Sequence, residues 1–526
     1  MNPARKYPFL TCLIVALLLR LIAVLFSRGF MASDDYFETV KIAYQGVQSG
    51  LTNAQGLLQW NTVQSTNIGR SPLYVLFLYS IMGVQNLAGI ANLDSMMYLI
   101  RSIHALLSLL TIWFGYRYIF ESTRDKDYAL LGGLILGAHF LAPYLAVRNL
   151  IEQVSADLFV PAIFLAYKGV RDQRAQYLIL AGILSGVSWM IRFNMALAIL
   201  PIPFATWYLT RNLRPALYYS AGLLIIILFS GSLDMIYLGH FGQSSLNILR
   251  SFLFSIGPPP LPQPLWFFFL LTLGAFVPPF SFYFVFSFFQ KDILKEHLIL
   301  FSAALSFFLA HTLISHKEER FIIPIFPLLV IMGTIGLRSF FMNKSLSPWN
   351  RKFFKASAIW AAFICAVLLP IFTTNYGHKS LVETFVYLGK QNINRPILID
   401  STERLRLFPY EYAGLKRADF IEFRSWDSLG VIGETNPAFD SINYVIIFEE
   451  NSLQRHLDSL ERYLGKLHLV FKSEPSLIDK TLHRLNPLHN HTNQACIFRR
   501  QPLSQILPPD AHRCAWLAAA SPHLPM

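Results

Sequence analysis

Residues 315–324 read SHKEERFIIP. Five consecutive ionisable side chains, His316, Lys317, Glu318, Glu319 and Arg320, stand between two apolar runs, 297–314 and 321–340, each near the length that crosses a bilayer. Close to the start of the chain, SDDYFE supplies three carboxylates, Asp34, Asp35 and Glu38, directly after a first apolar run. Between these stretches lie Arg70 and Ser71 in GRSPLYVLF, Arg148 and Glu152 in VRNLIEQ, Asp157, Arg192 in SWMIRFNM, and Asp234 at the end of another apolar run. A charge at bilayer depth costs on the order of 3 kcal/mol and is usually retained for a site or a pathway. Carboxylates and cations gathered at the hydrocarbon edge can exchange protons and hold charge, as either purpose requires.

Each stretch also has a plainer reading. SDDYFE is compatible with a solvated loop or a helix N-cap, because Ser or Asp before a helical run is a common cap. Arg148 and Glu152 are four apart, the spacing of an ion pair on a helix surface. Arg192 is long enough to snorkel outward. The charges of HKEER fit an interfacial cluster, but that leaves unexplained why they stand so tightly against FIIPIFPLL.

The elements that must carry these residues are membrane helices. The 526-residue chain is 54% hydrophobic and only 14% charged, well below the roughly 25% charged expected of a soluble domain. Apolar runs of spanning length fall at about 9–27, 72–90, 97–118, 129–147, 216–238, 264–289, 297–314, 321–340 and 355–374, with shorter ones at 152–168, 176–191 and 194–210. The expected fold is therefore an all-α polytopic membrane protein with about 10–12 transmembrane helices. The first run follows Arg5 and Lys6 and lacks a small-residue cleavage site, so it is expected to be an uncleaved anchor.

Residues 1–374 hold 27 Lys and Arg against 15 Asp and Glu, whereas 375–526 hold 17 against 16. The basic excess belongs to the membrane half and reads as topology, not as nucleic-acid binding. Basic residues at Arg5/Lys6, Arg117/Arg124/Lys126, Lys168/Arg171/Arg174, Arg211/Arg214, Lys291/Lys295 and Arg338 to Lys355, Lys344 among them, mark cytoplasmic connections. The connections at 28–71, 148–152, 239–263 and 315–320 then face outward, as does everything after 375. Three apolar runs between Arg5 and Arg124 cannot all cross, so one segment between 72 and 118 is expected to be partial or re-entrant.

The domain reading is 1–374 in the membrane and 375–526 as a small extracytoplasmic α/β domain. The tail alternates short apolar strands (PILID, ADFIEF, INYVIIFEE, LHLVFK, ACIFRR) with helix-compatible stretches such as NSLQRHLDSLERYL. It is expected to cover the site, to engage the acceptor or to serve as a structural cap. Four cysteines show no metal-ligand spacing, and a Cys496–Cys514 disulfide is conceivable on sequence alone.

His316, Lys317, Glu318, Arg320 and Phe321, followed by Pro324, resemble the HKExRF signature of glycosyltransferase family 22, multispanning mannosyltransferases with the GT-C fold. Asp34 to Phe37 resemble that family's first-loop D-E-x-F element, with Asp35 in place of Glu. Arg70, Ser71 and Tyr74 resemble R-S-x-x-Y-P; Arg148 and Glu152 an Arg/Glu pair; WMIRFNMALAILP an Arg-to-Pro helix; and Asp234 to Tyr237 a D-x-x-Y segment. The resemblance covers about residues 9–340, and Ala32-Ser33 stands where the family commonly has His-Pro.

The resemblance implies inverting transfer of a sugar, mannose above all, from a polyprenyl- or dolichyl-phosphate donor to a hydroxyl of a glycan or glycolipid acceptor. Asp34 is the expected base, with Asp35 as its alternate or partner. His316, Lys317 and Arg320 would face the leaving lipid phosphate, with Glu318 holding them. Arg70, Ser71, Arg148, Glu152, Arg192 and Asp234 complete the expected donor and acceptor contacts. No metal or other cofactor is expected. The site would face the periplasm in a bacterium or the ER lumen in a eukaryote. The alternative class is a polytopic transporter or lipid flippase, which commonly shows repeated halves with broken helices at mid-depth; the chain has no such internal repeat.

Overall fold

The computed structural model describes residues 6–53, 56–58, 70–254, 263–343, 347–391, 393–402, 407–449, 452–485, 487, 490 and 492–501. Arg5, Lys344 and Cys514, which entered the sequence reading, lie outside them. The chain forms two compact units, one of Met1–Ala91 with Ser95–Tyr376 and one of Asn92–Asp94 with Gly377–Met526.

The first unit is helical. Among the described residues, six helical segments are long and apolar enough to cross a bilayer: Pro8–Phe26, Leu93–Thr123, Phe193–Thr210, Leu213–Leu238, Glu319–Met342 and Pro348–Thr373. A bent pair, Phe267–Ala275 and Phe280–Phe289, makes a seventh if taken as one span. The run at 264–289 is thus not a straight helix: it turns by 116° at a break that contains Pro278 and Pro279, which bring no backbone donors to a helix. Three shorter apolar helices are Pro72–Leu87, Ala175–Ile191 and Leu298–Leu313. Pro72–Leu87 has 16 residues, about 24 Å at 1.5 Å per residue, which is short of a ~30 Å hydrocarbon core.

Local chemistry sets several ends. Ser71 caps Pro72–Leu87 by accepting from the Leu73 amide at 3.3 Å, with Pro72 at the first helical position. Asp125 caps Lys126–Ala138 through the amides of Asp127 and Tyr128. Ala175–Ile191 and Leu213–Leu238 pack backbone against backbone. A Cβ on Gly182 would lie 2.0 Å from the Tyr219 carbonyl oxygen, and one on Gly222 2.1 Å from that of Ile179. Small residues permit such approach where lipid gives no hydrophobic drive for helix association. Glu319–Met342 is almost wholly enclosed by its neighbours, whereas Pro348–Thr373 leaves most of its surface open.

The second unit carries a five-stranded sheet in the order β2-β1-β3-β5-β4, with β1 Ile397–Asp400, β2 Phe420–Phe423, β3 Tyr444–Ile447, β4 Leu467–Ser473 and β5 Ala495–Arg500. All five apolar stretches of the tail form strands. β1 pairs in parallel with β2 and β3, while β5 runs antiparallel to β3 and β4. β1 and β3 are buried along their whole length, and apart from Asp400 at the end of β1 their residues are apolar, as strands covered on both faces require. Leu453–Leu464 buries Leu460 and Leu464 in a core with Leu398, Val445 and Phe498. A buried hydrogen bond between His456 Nδ1 and Asp400 Oδ2, 2.6 Å long, joins that helix to the end of β1. Cys496 is a free, buried residue of β5.

Candidate active site

The carboxylates nearest the chain start sit on a short helical turn, Ser33–Asp35, which runs on into a π-helical turn, Tyr36–Val40. Single π turns inside helices are frequent at functional sites. Phe30, Tyr36 and Phe37 pack ring on ring beneath them, with Phe30 to Tyr36 and Tyr36 to Phe37 both at 4.9 Å between centroids. This anchor fixes the turn and leaves its carboxylates to face cations from elsewhere.

Two guanidinium groups converge there. Arg320 enters from the 3-10 turn Glu319–Ile325 and grips Asp34 with a fork, Nη1 to Oδ1 at 2.7 Å and Nη2 to Oδ2 at 3.1 Å. Its Nη1 also reaches Asp35 Oδ2 at 3.4 Å, and its Nε donates to Glu318 Oε2 at 2.7 Å. Arg70, immediately before the cap of Pro72–Leu87, donates to Asp34 at 2.7 Å, to Asp35 at 3.0 Å and to Glu38. His316 Nε2 lies 3.0 Å from Glu318 Oε1. Planar bidentate pairs of this kind combine charge with fixed orientation.

Behind this layer is Glu152, on the first turn of Ile151–Arg171 and fully buried. Its Oε1 lies 3.0 Å from Arg192 Nη2 and 3.9 Å from Arg320 Nη1. Arg192, at the end of Ala175–Ile191, also sits over the Phe321 ring at 5.4 Å. Tyr74 closes one flank: its hydroxyl lies 2.8 Å from His104 Nε2, while His104 Nδ1 lies 2.7 Å from the Ile100 carbonyl. Only a protonated Nδ1 satisfies that carbonyl, so Nε2 accepts from the tyrosine.

The two adjacent aspartates differ. The Asp34 side chain is 35% exposed and that of Asp35 4%. Burial pushes the Asp34 carboxyl up, but the guanidiniums of Arg320 and Arg70 outweigh it and hold the group below the usual carboxylate range. For Asp35 burial dominates, reinforced by the negative charge of Glu152, and the group is raised despite Arg70.

Asp34, Asp35, Arg70, Glu152, Arg192, Glu318, Arg320 and His316 are therefore brought together. Four expected site residues are placed otherwise. Lys317 turns away, buried, with its ammonium donating to the carbonyls of Ile314 at 2.6 Å and Gln263 at 3.1 Å, so two of its three donors are held by backbone. Arg148 does not pair with Glu152: Ile151–Arg171 begins three residues after it, so the four-residue spacing never becomes a helix face. Its guanidinium binds the carbonyls of Arg28, Gly29 (2.7 Å) and Asn375 (2.9 Å) and the Ser27 hydroxyl (2.7 Å), tying down the chain that leads to Asp34. Asp234 accepts from the Ser244 amide at 2.9 Å, at the start of Gln243–Phe254, and makes no contact with the cluster among the described residues. Ser71 serves as the helix cap already described.

Sequence reasoning assigns Glu38 no role beyond its place in the loop. Its spacing of four from Asp34 on one helical turn was the available signal, and Arg70 is the partner that uses it. Among the described residues, no group of three or more His, Cys, Asp or Glu side chains is arranged to hold a metal ion.

The sequence model of the Alg9-like mannosyltransferase family matches residues 11–402, which includes every side chain of this cluster. No curated protein matches the chain. Among solved structures, ArnT from Cupriavidus metallidurans bound to undecaprenyl phosphate is similar with a TM-score of 0.57 at 13% identity, over 97% of this chain and 100% of that one. The same protein in the apo state gives 0.59 at 14% identity, over 96% and 100%. The architecture is thus of the GT-C type, helices in the membrane with a small α/β region after them.

Proposed function

Because the chain belongs to the Alg9-like mannosyltransferase family and is a multi-pass membrane glycosyltransferase, we propose that it moves mannose from a polyprenyl-phosphate donor to a hydroxyl of a lipid-linked glycan or related acceptor. Transfer inverts the anomeric centre on the outer face of the membrane. The observation that carries this reading is the inequality of the paired aspartates: only Asp34 is open enough for an acceptor hydroxyl to reach.

Inversion needs one carboxylate on the face opposite the leaving group, to take the acceptor proton as the new bond forms. Asp34 is that base. Asp35, buried behind it, positions Arg70 and Arg320. The leaving group is a lipid phosphate whose negative charge grows as the glycosidic bond breaks, and Arg320, Arg70 and His316 are the donors that meet it. A phosphate that draws Arg320 off Asp34 also relieves the charge that holds the Asp34 carboxyl low, so donor binding makes the base stronger. Glu152, itself held by Arg192, keeps the Arg320 guanidinium from following the phosphate outward. The ArnT structure that contains undecaprenyl phosphate shares this fold, which supports a polyprenyl-phosphate donor here.

The test is incubation of the purified protein with radiolabelled polyprenyl-phosphate mannose and a crude lipid acceptor fraction. Transfer of label to lipid by the wild type, lost in Asp34→Asn while donor binding persists, supports the reading. Absence of transfer by the wild type with every polyprenyl-phosphate sugar supplied overturns it.

A further inference from the structure

Ile151–Arg171 carries Glu152 at one end and Lys168 and Arg171 at the other. The 19 residues from Glu152 to Arg171 rise about 28 Å, close to the ~30 Å hydrocarbon core of a bilayer. At the far end from the catalytic cluster, the start of Pro8–Phe26 and the ends of Leu93–Thr123 and Ile151–Arg171 line an open cavity of about 630 Å³. Five cations line it, Arg117, Arg124, Lys126, Lys168 and Arg171, against a single carboxylate, Glu121.

Glu121 is half of a built arrangement. It lies at the base of the cavity, 9% exposed, and holds Arg171 at 2.7 Å, Arg117 at 3.1 Å and Lys168 at 3.3 Å. Arg124 and Lys126 make no ion pair among the described residues. Arg171 and Lys168 also reach Asp172, at 3.1 Å and 3.9 Å, so the excess positive charge of the cavity rests on Arg124 and Lys126. Its other wall is apolar, with Tyr7 and Leu10 exposed. From Leu10 the exposed stripe continues along Pro8–Phe26 through Ile14, Leu17 and Leu21, the i, i+4, i+7 face that a helix offers to acyl chains.

We infer that this cavity is a second site, which binds the phosphate headgroup of an anionic phospholipid in the leaflet opposite the catalytic cluster. The cations take the phosphate, through guanidinium forks that match its oxygens, and the Leu10 to Leu21 stripe takes the chains. Basic pockets between membrane helices bind anionic headgroups in this way. A free phosphate would use the cations alone, whereas a lipid headgroup held there also continues into chains along the bilayer-facing stripe, which favours the lipid. The inference does not depend on the sugar or acceptor.

The experiment follows thermal unfolding of the purified full-length protein in neutral detergent. It is titrated with dioctanoyl phosphatidylglycerol, dioctanoyl phosphatidylcholine or inorganic phosphate. Phosphatidylglycerol is expected to raise the unfolding midpoint, and the other two are not. Each cation near an anionic headgroup is worth about a fivefold change in affinity, so R124Q/K126Q is expected to weaken the phosphatidylglycerol response roughly tenfold or more. K291Q/K295Q, at two exposed lysines of the helix Lys291–Glu296, is expected to leave it unchanged. If the double variant is not recovered folded, Arg124→Gln alone carries the comparison. An equal response to phosphatidylcholine or to inorganic phosphate, an unchanged response in R124Q/K126Q, or an equal loss in K291Q/K295Q overturns the proposal.

Discussion

Asp34 and Arg320 stand 286 residues apart in the chain and meet in a two-point contact whose shorter arm is 2.7 Å. Neither residue has its charge to itself: Arg70 shares Asp34, and Glu318 shares Arg320. The cluster is a closed set of opposite charges into which a substrate phosphate must be exchanged.

If Asp34 is the base, Asp34→Asn keeps its size and much of its hydrogen bonding but loses its basicity. Transfer of radiolabelled sugar should fall roughly 100- to 10,000-fold with donor binding largely kept. Asp35→Asn should fall less. A severe loss at Asp35 with a mild one at Asp34 would exchange their roles.

Arg320→Lys retains the charge and loses the fork. Because Arg320 bonds Asp34 through two nitrogens and Glu318 through a third, a lysine point charge cannot replace it. Turnover is expected to drop about 100-fold or more, as for lost electrostatic catalysis. Lys317→Met, which removes donors bound only to backbone carbonyls, should act instead through yield and thermal stability. Wild-type rate in Arg320→Lys would exclude the fork from the chemistry.

The two aspartates should give stability opposite pH trends. Asp34 titrates below an unfolded aspartate, so the folded state holds fewer protons there. Its contribution is present above the unfolded value near 3.9 and is lost as pH falls through its lower folded value. Asp35 titrates above the unfolded value, so folding becomes less favourable as pH rises from about 4 upward. Thermal unfolding from pH 5 to pH 8 should show Asp35→Asn gaining on the wild type as pH increases. A constant difference across that range would contradict the raised value.

Gly182→Ala places a methyl group 2.0 Å from the Tyr219 carbonyl oxygen, so Ala175–Ile191 and Leu213–Leu238 must separate. Overpacking of this kind costs roughly 1–3 kcal/mol. Gly83→Ala, where no atom lies within 4 Å of the added carbon, is the matched control. Similar unfolding midpoints for the two variants would show that the helices yield freely.

What the sequence makes legible is what is contiguous. HKEERF and SDDYFE can be read directly, and so can the apolar runs and the five strands of the tail, because each is a local pattern. The contact between Asp34 and Arg320 crosses most of the membrane unit, and no spacing rule reaches that far. The Arg148 and Glu152 spacing misled for a physical reason: i, i+4 pairing needs both residues on the same helix, and this helix starts between them. Lys317 shows a similar limit, since alternate residues of an irregular loop point in different directions and only Arg320, on a 3-10 turn, is delivered to the carboxylates. The bend in 264–289 was signalled by Pro278-Pro279, a stronger cue than the apolar composition around it.

The order in which the cluster's members are synthesised has a consequence for biogenesis. Asp34 and Asp35 leave the ribosome early, Arg70 follows 36 residues after Asp34, and Arg320 comes some 250 residues later still. At roughly 5–20 residues per second, that last interval is on the order of 10 to 50 seconds. Throughout it the nascent chain holds two adjacent carboxylates, with Arg70 and later Arg192 as the cluster's cations already made. Arg70, which bonds both aspartates in the folded protein, is thus the first of their cation partners to be synthesised.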